Sequence, residues 1–491
     1  MSRVVVVGAG LAGLSAACHL VGDGHDVTVV ERNPGPGGRN GVIRADGFTF
    51  DSGPTVLTMP DLLERALKRV GADLTPLGLR QLDPAYRARF ADGSVIDVRA
   101  GVTAMAAELA RTSSPADAAA FSRFVEWLEA LYEVEMPHFI ERNYDTVFDL
   151  LARPAAAARL VRLGGFGRLG RAVRRRFSDE RLVRLFTFQA MYAGMSPEDA
   201  LAIYAVITYM DSVAGVWFPA GGMHAVPTLM ADALAAAGGR LVYDQGVDSL
   251  ITDARGRVAG VRAGGERLVA DAVVLAFDLP TAYRTLLADL RPPRAARGGG
   301  DYSPSAVVWH VGVRGAPPAD AAHHNIHFGQ AWEESFRQLV KRKQLMADPS
   351  RLVTIPSLDA PELAPAGHSA LYVLEPVPNL SGGLDWQVEG PALRDRLLGF
   401  LQVAGYPTEI VTESFVTPRD WAGQGLAAGT PFSLAHSFTQ TGPFRPGNRE
   451  LRRPGVFFAG DGTTPGVGIP MVLVSGELAA QRVHAYLGGV S

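Results

Sequence analysis

The chain has 491 residues, enough for about three domain-sized units or two large ones assembled from discontinuous segments. Hydrophobic residues at 47% and charged residues at 20% fit a globular enzyme, and a formal net charge of −3 gives no reason to expect a nucleic-acid partner. The single cysteine, Cys18, excludes an internal disulfide framework and a Cys-rich metal site, so a reducing cytoplasm is the default expectation.

Val4-Val5-Val6-Val7 reads as a strand buried on both faces. It runs into Gly8-Ala9-Gly10-Leu11-Ala12-Gly13, after which Leu11 to Leu20 carries apolar residues at helical spacing. A second run, Val27 to Val30, ends at Glu31. In such a unit Gly8 makes the turn, Gly10 lets a pyrophosphate approach the backbone, and Gly13 lets the helix pack close to the strand. The free N–H groups of the helix start face the phosphates. Glu31 stands eighteen residues beyond Gly13, where it can accept hydrogen bonds from both hydroxyls of an adenosine ribose. A 2′-phosphate would be repelled there, which disfavours NADP. The glycine spacing also explains the apolar run of residues 4–21 better than a signal peptide does. No other stretch reaches the roughly twenty apolar residues of a spanning helix, so any membrane contact is expected to be peripheral.

Arg32-Asn33-Pro34-Gly35-Pro36-Gly37-Gly38-Arg39 makes a second glycine–arginine turn directly after the ribose acid. Residues 47–55 then form an extended stretch that closes on Gly53-Pro54-Thr55. A nicotinamide enzyme would continue into another helix here, so the order favours FAD. Arg39 can pair with the pyrophosphate, and the backbone of Pro54 and Thr55 can lie near a flavin. Either stretch alone reads equally well as an ordinary surface loop.

A short helix is expected from Leu62 to about Ala72, and alternation from Tyr86 to Val98 around Ala91-Asp92-Gly93-Ser94 predicts a hairpin suited to the floor of a substrate chamber. Residues 103–150 turn helical, with Phe121, Phe124, Trp127, Leu128, Leu131 and Tyr132 at three-and-four spacing, a stripe that reads as helix core. Residues 153–177 carry eight arginines and no acid, interleaved with Leu160, Leu163, Phe166, Leu169, Val173 and Phe177 and broken by Gly164-Gly165. Such a segment reads either as a membrane-docking surface or as a solvated helix packed on its own domain. Helix is expected again over Leu182 to Met191, and Ser196-Pro197 reads as a helix N-cap and first turn. The almost wholly apolar stretch 200–218 suits core or a long apolar cavity. Asp149 and Asp211 lie in or beside these segments and read as caps or surface acids, so no catalytic base is assigned.

Gly221-Gly222-Met223 opens a helix through Leu229 and Leu234, and residues 240–252, 258–262 and 272–276 are expected to form a β-meander. Alternation at 307–313 and 369–374 gives antiparallel sheet. His323, His324 and His327 cluster in sequence, but no cysteine or carboxylate spacing accompanies them, and no metal is assigned. Val456 to Gly460 reads as a buried strand, followed by Asp461, a loop of small residues to Gly468, and a helix opening at Ile469-Pro470-Met471.

The dinucleotide turn, the GGR loop, the FDSGPTVLTMPDLL run and the FFAGDGTTPGVGIPMVLVSGELAA run resemble the bacterial-type phytoene desaturases of the flavin amine-oxidase superfamily. The matching pieces span residue 4 to about residue 483. The resemblance implies an α/β fold: a Rossmann-like FAD-binding domain of the GR2-type flavoprotein class, a discontinuous α+β substrate domain, and a helical, membrane-facing segment. It places residues 1–100, 220–290 and 436–491 in the FAD domain, 101–219 in the helical region and 291–435 in the substrate domain. It also implies that the backbone at Val247 meets the adenine, that Gly460 and Asp461 meet the ribityl chain, and that the helix start at Gly468, Ile469, Pro470 and Met471 faces the flavin N1–O2 edge. The family departs at Asp461, where many members carry a small residue. The implied activity is stepwise desaturation of phytoene, an apolar C40 carotenoid, to a conjugated polyene such as lycopene. Oxygen or a quinone would be the electron acceptor, and the enzyme would sit peripherally on the inner face of the cell membrane. The competing readings are a flavin enzyme acting on another polyene, an amine oxidase, and a non-enzymatic prenyl-lipid carrier of the same fold.

Overall fold

The computed structural model describes residues 1–297 and 300–489; residues 298, 299, 490 and 491, which fall in the expected 291–435 and 436–491 segments, lie outside the described residues. The N-terminal unit forms as read: β1 (Arg3–Val7), α1 (Leu11–Gly22) and β2 (Asp26–Val30) follow one another. Burial on both faces is literal, because Val4 and Val6 pack into one hydrophobic cluster while Val5 and Val7 pack into another. β1 and β2 belong to a five-stranded parallel sheet with Arg240–Val242, Ala272–Leu275 and Val456–Phe458, in the spatial order 456–458, 272–275, β1, β2, 240–242.

The sheet corrects one expectation. Strand Ala272–Leu275 pairs in parallel with β1 and does not close a meander; the antiparallel meander is Val247–Thr252, Val258–Ala263 and Glu266–Val269. All four residues of 272–275 are fully buried, which a central parallel strand requires.

The chain ends meet at α1 and the final helix, Ile469–Gly488, which is in close contact with it. Gly476 makes that contact: a Cβ there would stand 2.4 Å from the Ala12 carbonyl oxygen.

The second sheet has seven strands, in the order Glu409–Val416, Ser305–Arg314, His368–Val377, Arg351–Thr354, His324–Phe328, Tyr86–Phe90, Val95–Val98. The hairpin of residues 86–98 is therefore part of the substrate sheet, although the expected 1–100 segment assigned it to the cofactor domain; Tyr86–Phe90 enters by a parallel pairing with His324–Phe328. One face of the two long central strands packs Val307, Trp309, Val311 and Val313 against Leu393, Leu397 and Leu401 of helix Trp386–Val403. Alternation sends Ala306, Val308, Tyr372 and Leu374 to the opposite face, where they line the cavity described below.

The region between is helical but irregular. Helices Val102–Thr112 and Pro115–Glu135 form, and the predicted stripe is core, with Phe121, Phe124, Trp127, Leu128 and Leu131 buried. Beyond Glu135 the backbone widens into a π-helical turn over Met136–Ile140, and another covers Tyr209–Val213. The helix expected at Ser196-Pro197 is only a turn: Ser196 Oγ bonds the Asp199 carboxylate and accepts from its N–H, but the following residues do not continue it.

Candidate cofactor and substrate cavity

One cavity of about 1070 Å³ runs from the carboxyl end of the parallel sheet to the helical region, at the top of the range for a single small ligand. Of the residues expected at the cofactor, Gly8, Gly10, Leu11, Ala12, Glu31, Arg32, Gly38, Arg39, Pro54, Thr55, Val247, Gly460, Asp461, Gly468, Ile469, Pro470 and Met471 line it. Ala9 and Gly13 do not, and the geometry says why. The Ala9 N–H donates to Glu31 Oε2 at 2.8 Å, tying the turn to the acid that ends β2. Gly13 faces inward: a Cβ there would lie 2.0 Å from the Gly8 carbonyl oxygen. At Gly10 the nearest atom to an added Cβ is 3.9 Å away, so the backbone beside the helix start is open. Gly8 makes the turn with a φ of 107°, which L side chains rarely adopt.

The surrounding loops are fastened to this turn. Gly37 N–H donates to Ala9 O at 2.9 Å, which lays the GGR loop alongside the first turn. Asp51 accepts from the Met223 and His224 N–H groups at 2.9 Å each, and Asn40 Nδ2 donates to Met223 O. Glu31 uses its second oxygen on the Asn33 N–H at 2.9 Å; with about four lone-pair sites on a carboxylate, acceptor capacity remains toward the cavity.

Arg39 and Asp461 add a bond that the sequence did not show. Both line the cavity, and the two side chains also hold each other: Arg39 Nη2 donates to Asp461 Oδ1 at 2.7 Å and Nη1 to Oδ2 at 2.5 Å. Arg39 Nη1 also reaches Pro431 O at 2.7 Å. A carboxylate as deeply buried as Asp461 is costly alone, and the facing guanidinium offsets that cost. Burial would raise the Asp461 pKa, but the charges of Arg39 and Arg445 more than cancel it and leave it below 3.8. The pair clamps the N-terminal and C-terminal parts of the cavity wall together.

Arg445, Asp278 and His436 were not singled out from the sequence. Arg445 is buried and donates to the carbonyls of Thr463, Gln440, Leu434 and Asp461, fixing the C-terminal loop. Asp278 follows strand Ala272–Leu275, caps helix Leu279–Arg284 through the Thr281 N–H, and lines the cavity. A signal existed for it: Glu31, Asp278 and Asp461 each follow a buried strand of one parallel sheet, and such acids gather at its carboxyl edge. His436 lines the cavity, where burial holds its imidazole neutral.

The residues present fit a dinucleotide flavin. Two helix starts, at Gly10 and at Gly468, open on the cavity without a side-chain cap, leaving N–H groups free for oxygen ligands. Gly460, at a φ of 132°, has nothing within 4 Å of an added Cβ, a cradle that only glycine leaves open. Gly8, Gly10, Gly38 and Glu31 would hold the adenosine and pyrophosphate, and the start of Ile469–Gly488 the ring.

Beyond that end the lining turns apolar. Leu201, Ile203, Val206, Ile207 and Met210 from the 200–218 stretch meet Phe188, Phe328 and Leu352. The three histidines are engaged elsewhere: His323 with Asp359, His324 with the Ala85 and Thr55 carbonyls, and His327 with the Tyr406 hydroxyl. Among the described residues no group of three metal-binding side chains is assembled. Asp149 closes a capping box with Thr146, as a cap reading expects. Asp211 is neither a cap nor a surface acid: it is buried in the cavity wall.

Residues 11–484 match the flavin containing amine oxidoreductase family. A phytoene dehydrogenase of Streptomyces griseus is 50% identical over 490 residues, covering 98% of this chain and 95% of its own. A zeta-carotene-forming phytoene desaturase of Myxococcus xanthus is 38% identical, over 100% of this chain and 95% of its own. Among solved structures, an oxidoreductase from Methanosarcina mazei superposes with a TM-score of 0.62 at 19% identity, covering 97% of this chain and 99% of that one, which speaks for the fold. With this fold, this cofactor-shaped cavity and these relatives, the chain belongs to the flavin containing amine oxidoreductases, as an FAD-dependent member of their phytoene desaturase branch.

Proposed function

We propose that the protein is a carotenoid desaturase that takes phytoene stepwise to a conjugated polyene such as lycopene. The observation that carries this reading is the cavity itself: its dinucleotide end is continuous with a long lining of aliphatic and aromatic side chains. A C40 hydrocarbon has no polar handle, so its affinity comes from apolar burial, at about 25 cal/mol per Å². Bound FAD supplies the hydride acceptor; the chain orients the polyene along the wall and keeps water out. Oxygen or a membrane quinone is the final electron acceptor in this reading. The test is to reconstitute the purified protein with FAD in phytoene-containing liposomes and follow product absorbance. A coloured polyene is expected, and bound flavin without conversion would sink the assignment.

The same reading puts the enzyme on a membrane, peripherally and at the cytoplasmic face. Phe166, Phe438 and Phe444 line the cavity yet are 49%, 55% and 43% exposed, so they form an apolar rim at its opening. Val147, Phe148 and Val161 are exposed on neighbouring turns. Part of the basic segment is packed on its own domain, and part is free to serve the docking reading. Leu160, Leu169, Val173 and Phe177 are buried in the protein's own core, so Leu169 is not available to lipid. Arg174 is engaged by Glu180, Glu198 and Glu333, and Arg176 lies over the Trp127 ring at 4.1 Å. Arg162, Arg171 and Arg175 are exposed, with no ion pair among the described residues, and suit anionic headgroups. No helix of the described residues is long and apolar enough to cross a membrane. Changing Phe166, Phe438 and Phe444 to serine should lower co-sedimentation with anionic liposomes; a folded variant that binds as before would remove the docking reading.

A further inference from the structure

We infer that Asp211 is the catalytic residue that accepts the proton released when each new double bond forms. The inference rests on the desaturase reading and assigns a role within it.

Asp211 is 2% exposed, lines the cavity, and sits in the π-helical turn Tyr209–Val213, a widened geometry that recurs at functional sites. Its two oxygens are treated differently. Oδ1 accepts from Ser212 Oγ at 2.7 Å and from Gln189 Nε2 at 3.3 Å, which fixes the carboxyl. Oδ2 is buried and has no hydrogen-bond partner, and the same holds for Gln189 Oε1. Unsatisfied polar atoms in one buried patch are uncommon, and each calls for a reason. No arginine or lysine pairs with Asp211 among the described residues.

The position suits the chemistry. Leu57, two residues past Thr55, bridges Trp217, so the segment expected at the flavin is joined to the chain leaving Asp211, and Thr55 and Asp211 line the same cavity. His324, bonded to the Thr55 carbonyl, has its ring 5.5 Å from that of Tyr86. In the reaction one C–H electron pair leaves the substrate as hydride to the flavin. The neighbouring carbon gives its proton to Asp211 Oδ2, and the electron pair of that second C–H bond becomes the double bond. The titratable groups facing Asp211 are Tyr86 and Tyr192, both held protonated by burial, with neutral His324 beyond Tyr86. Burial pushes Asp211 up to about 7, so its carboxylate form grows in as pH rises through neutrality. Burial also raises Glu135, the other buried acid in this part of the lining, well above the usual carboxylate range.

The test compares the unmodified FAD holoenzyme with Asp211→Asn and Asp211→Glu in phytoene liposomes without oxygen, following flavin bleaching against pH. Asp211→Asn should keep its flavin content and retained phytoene, bleach at least about 100-fold more slowly, and lose the rising limb near neutral pH, with Asp211→Glu recovering part of the rate. Bleaching within about threefold of the unmodified enzyme, or an unchanged limb, would overturn the assignment. Infrared titration supplies a readout independent of turnover: a protonated-carboxyl band that titrates near neutrality and vanishes in Asp211→Asn. If the unmodified holoenzyme fails to bleach on phytoene, the substrate reading falls, and the band's presence or absence still decides whether Asp211 is a carboxyl poised to take a proton.

Discussion

The two ends of the cavity are built by different means. The cofactor end is shaped by backbone: glycines at Gly8, Gly10, Gly38 and Gly460, two uncapped helix starts, and carbonyls placed by a parallel sheet. The substrate end is shaped by side chains on short, irregular turns between Glu135 and Trp217 and on one face of an antiparallel sheet. A backbone-made site tolerates almost no added atom, whereas a side-chain-made site tolerates exchange of one apolar group for another. Substitutions at the first end should therefore be decided by position to the ångström, and those at the second by polarity and bulk.

The largest expected effect separates two glycines three residues apart. Gly13→Ala puts a methyl 2.0 Å from the Gly8 carbonyl, against backbone that has no rotamer to change, and should cost about 3 kcal/mol or more in denaturant unfolding. Gly10→Ala meets nothing nearer than 3.9 Å, so its unfolding midpoint should stay close to the unmodified value while flavin binding falls, because the methyl occupies the phosphate approach. Equal stability losses in the two variants would break the division between packing and binding glycines.

The Arg39–Asp461 pair comes next. Arg39→Met leaves Asp461 buried without its bidentate partner; Arg445 remains nearby, so a loss of about 2 kcal/mol is expected, below the usual range for a broken buried pair. The pH dependence has a defined sign. Asp461 titrates below 3.8 when folded, so its contribution is present above that value and is lost as pH falls further. In Arg39→Met that contribution should shrink or reverse, and thermal melts from pH 3 to 7 would show it. Identical acid limbs in both proteins would mean the pair contributes nothing to stability.

The contrast between the ends also explains what could be read from the sequence. Glycine spacing, four β-branched residues and a terminal acid are local signals, and β1, α1, β2 and Glu31 lie where they point. The substrate sheet carries no such signal. Tyr86–Phe90 joins it by pairing with His324–Phe328, more than two hundred residues away, so the hairpin was legible and its membership was not. Ala272–Leu275 shows the same limit, since four buried apolar residues do not say which neighbours they pair with. Arg39 and Asp461 were rightly drawn to one site, but their mutual bond depends on an approach between chain ends that no spacing encodes. Asp211 was hidden because a lone acid in an apolar run carries no period, and only the fold shows it facing inward.

The smallest effect tests whether the substrate end meets lipid through specific charges. Arg162 is exposed beside Val161 and carries no ion pair among the described residues, while Arg174, on the helix that follows, is held by three glutamates. A cation near an anionic surface contributes about 1 kcal/mol, which falls within a Debye length as salt rises. Arg162→Gln should therefore weaken binding to anionic liposomes about fivefold at low salt and hardly at all at high salt, with neutral liposomes unaffected. Arg174→Gln should leave lipid affinity unchanged and lower stability slightly, because its charge is already spent within the protein. If both arginines change lipid affinity alike, the basic segment acts as a diffuse field and the rim of Phe166, Phe438 and Phe444 alone would set where the cavity opens.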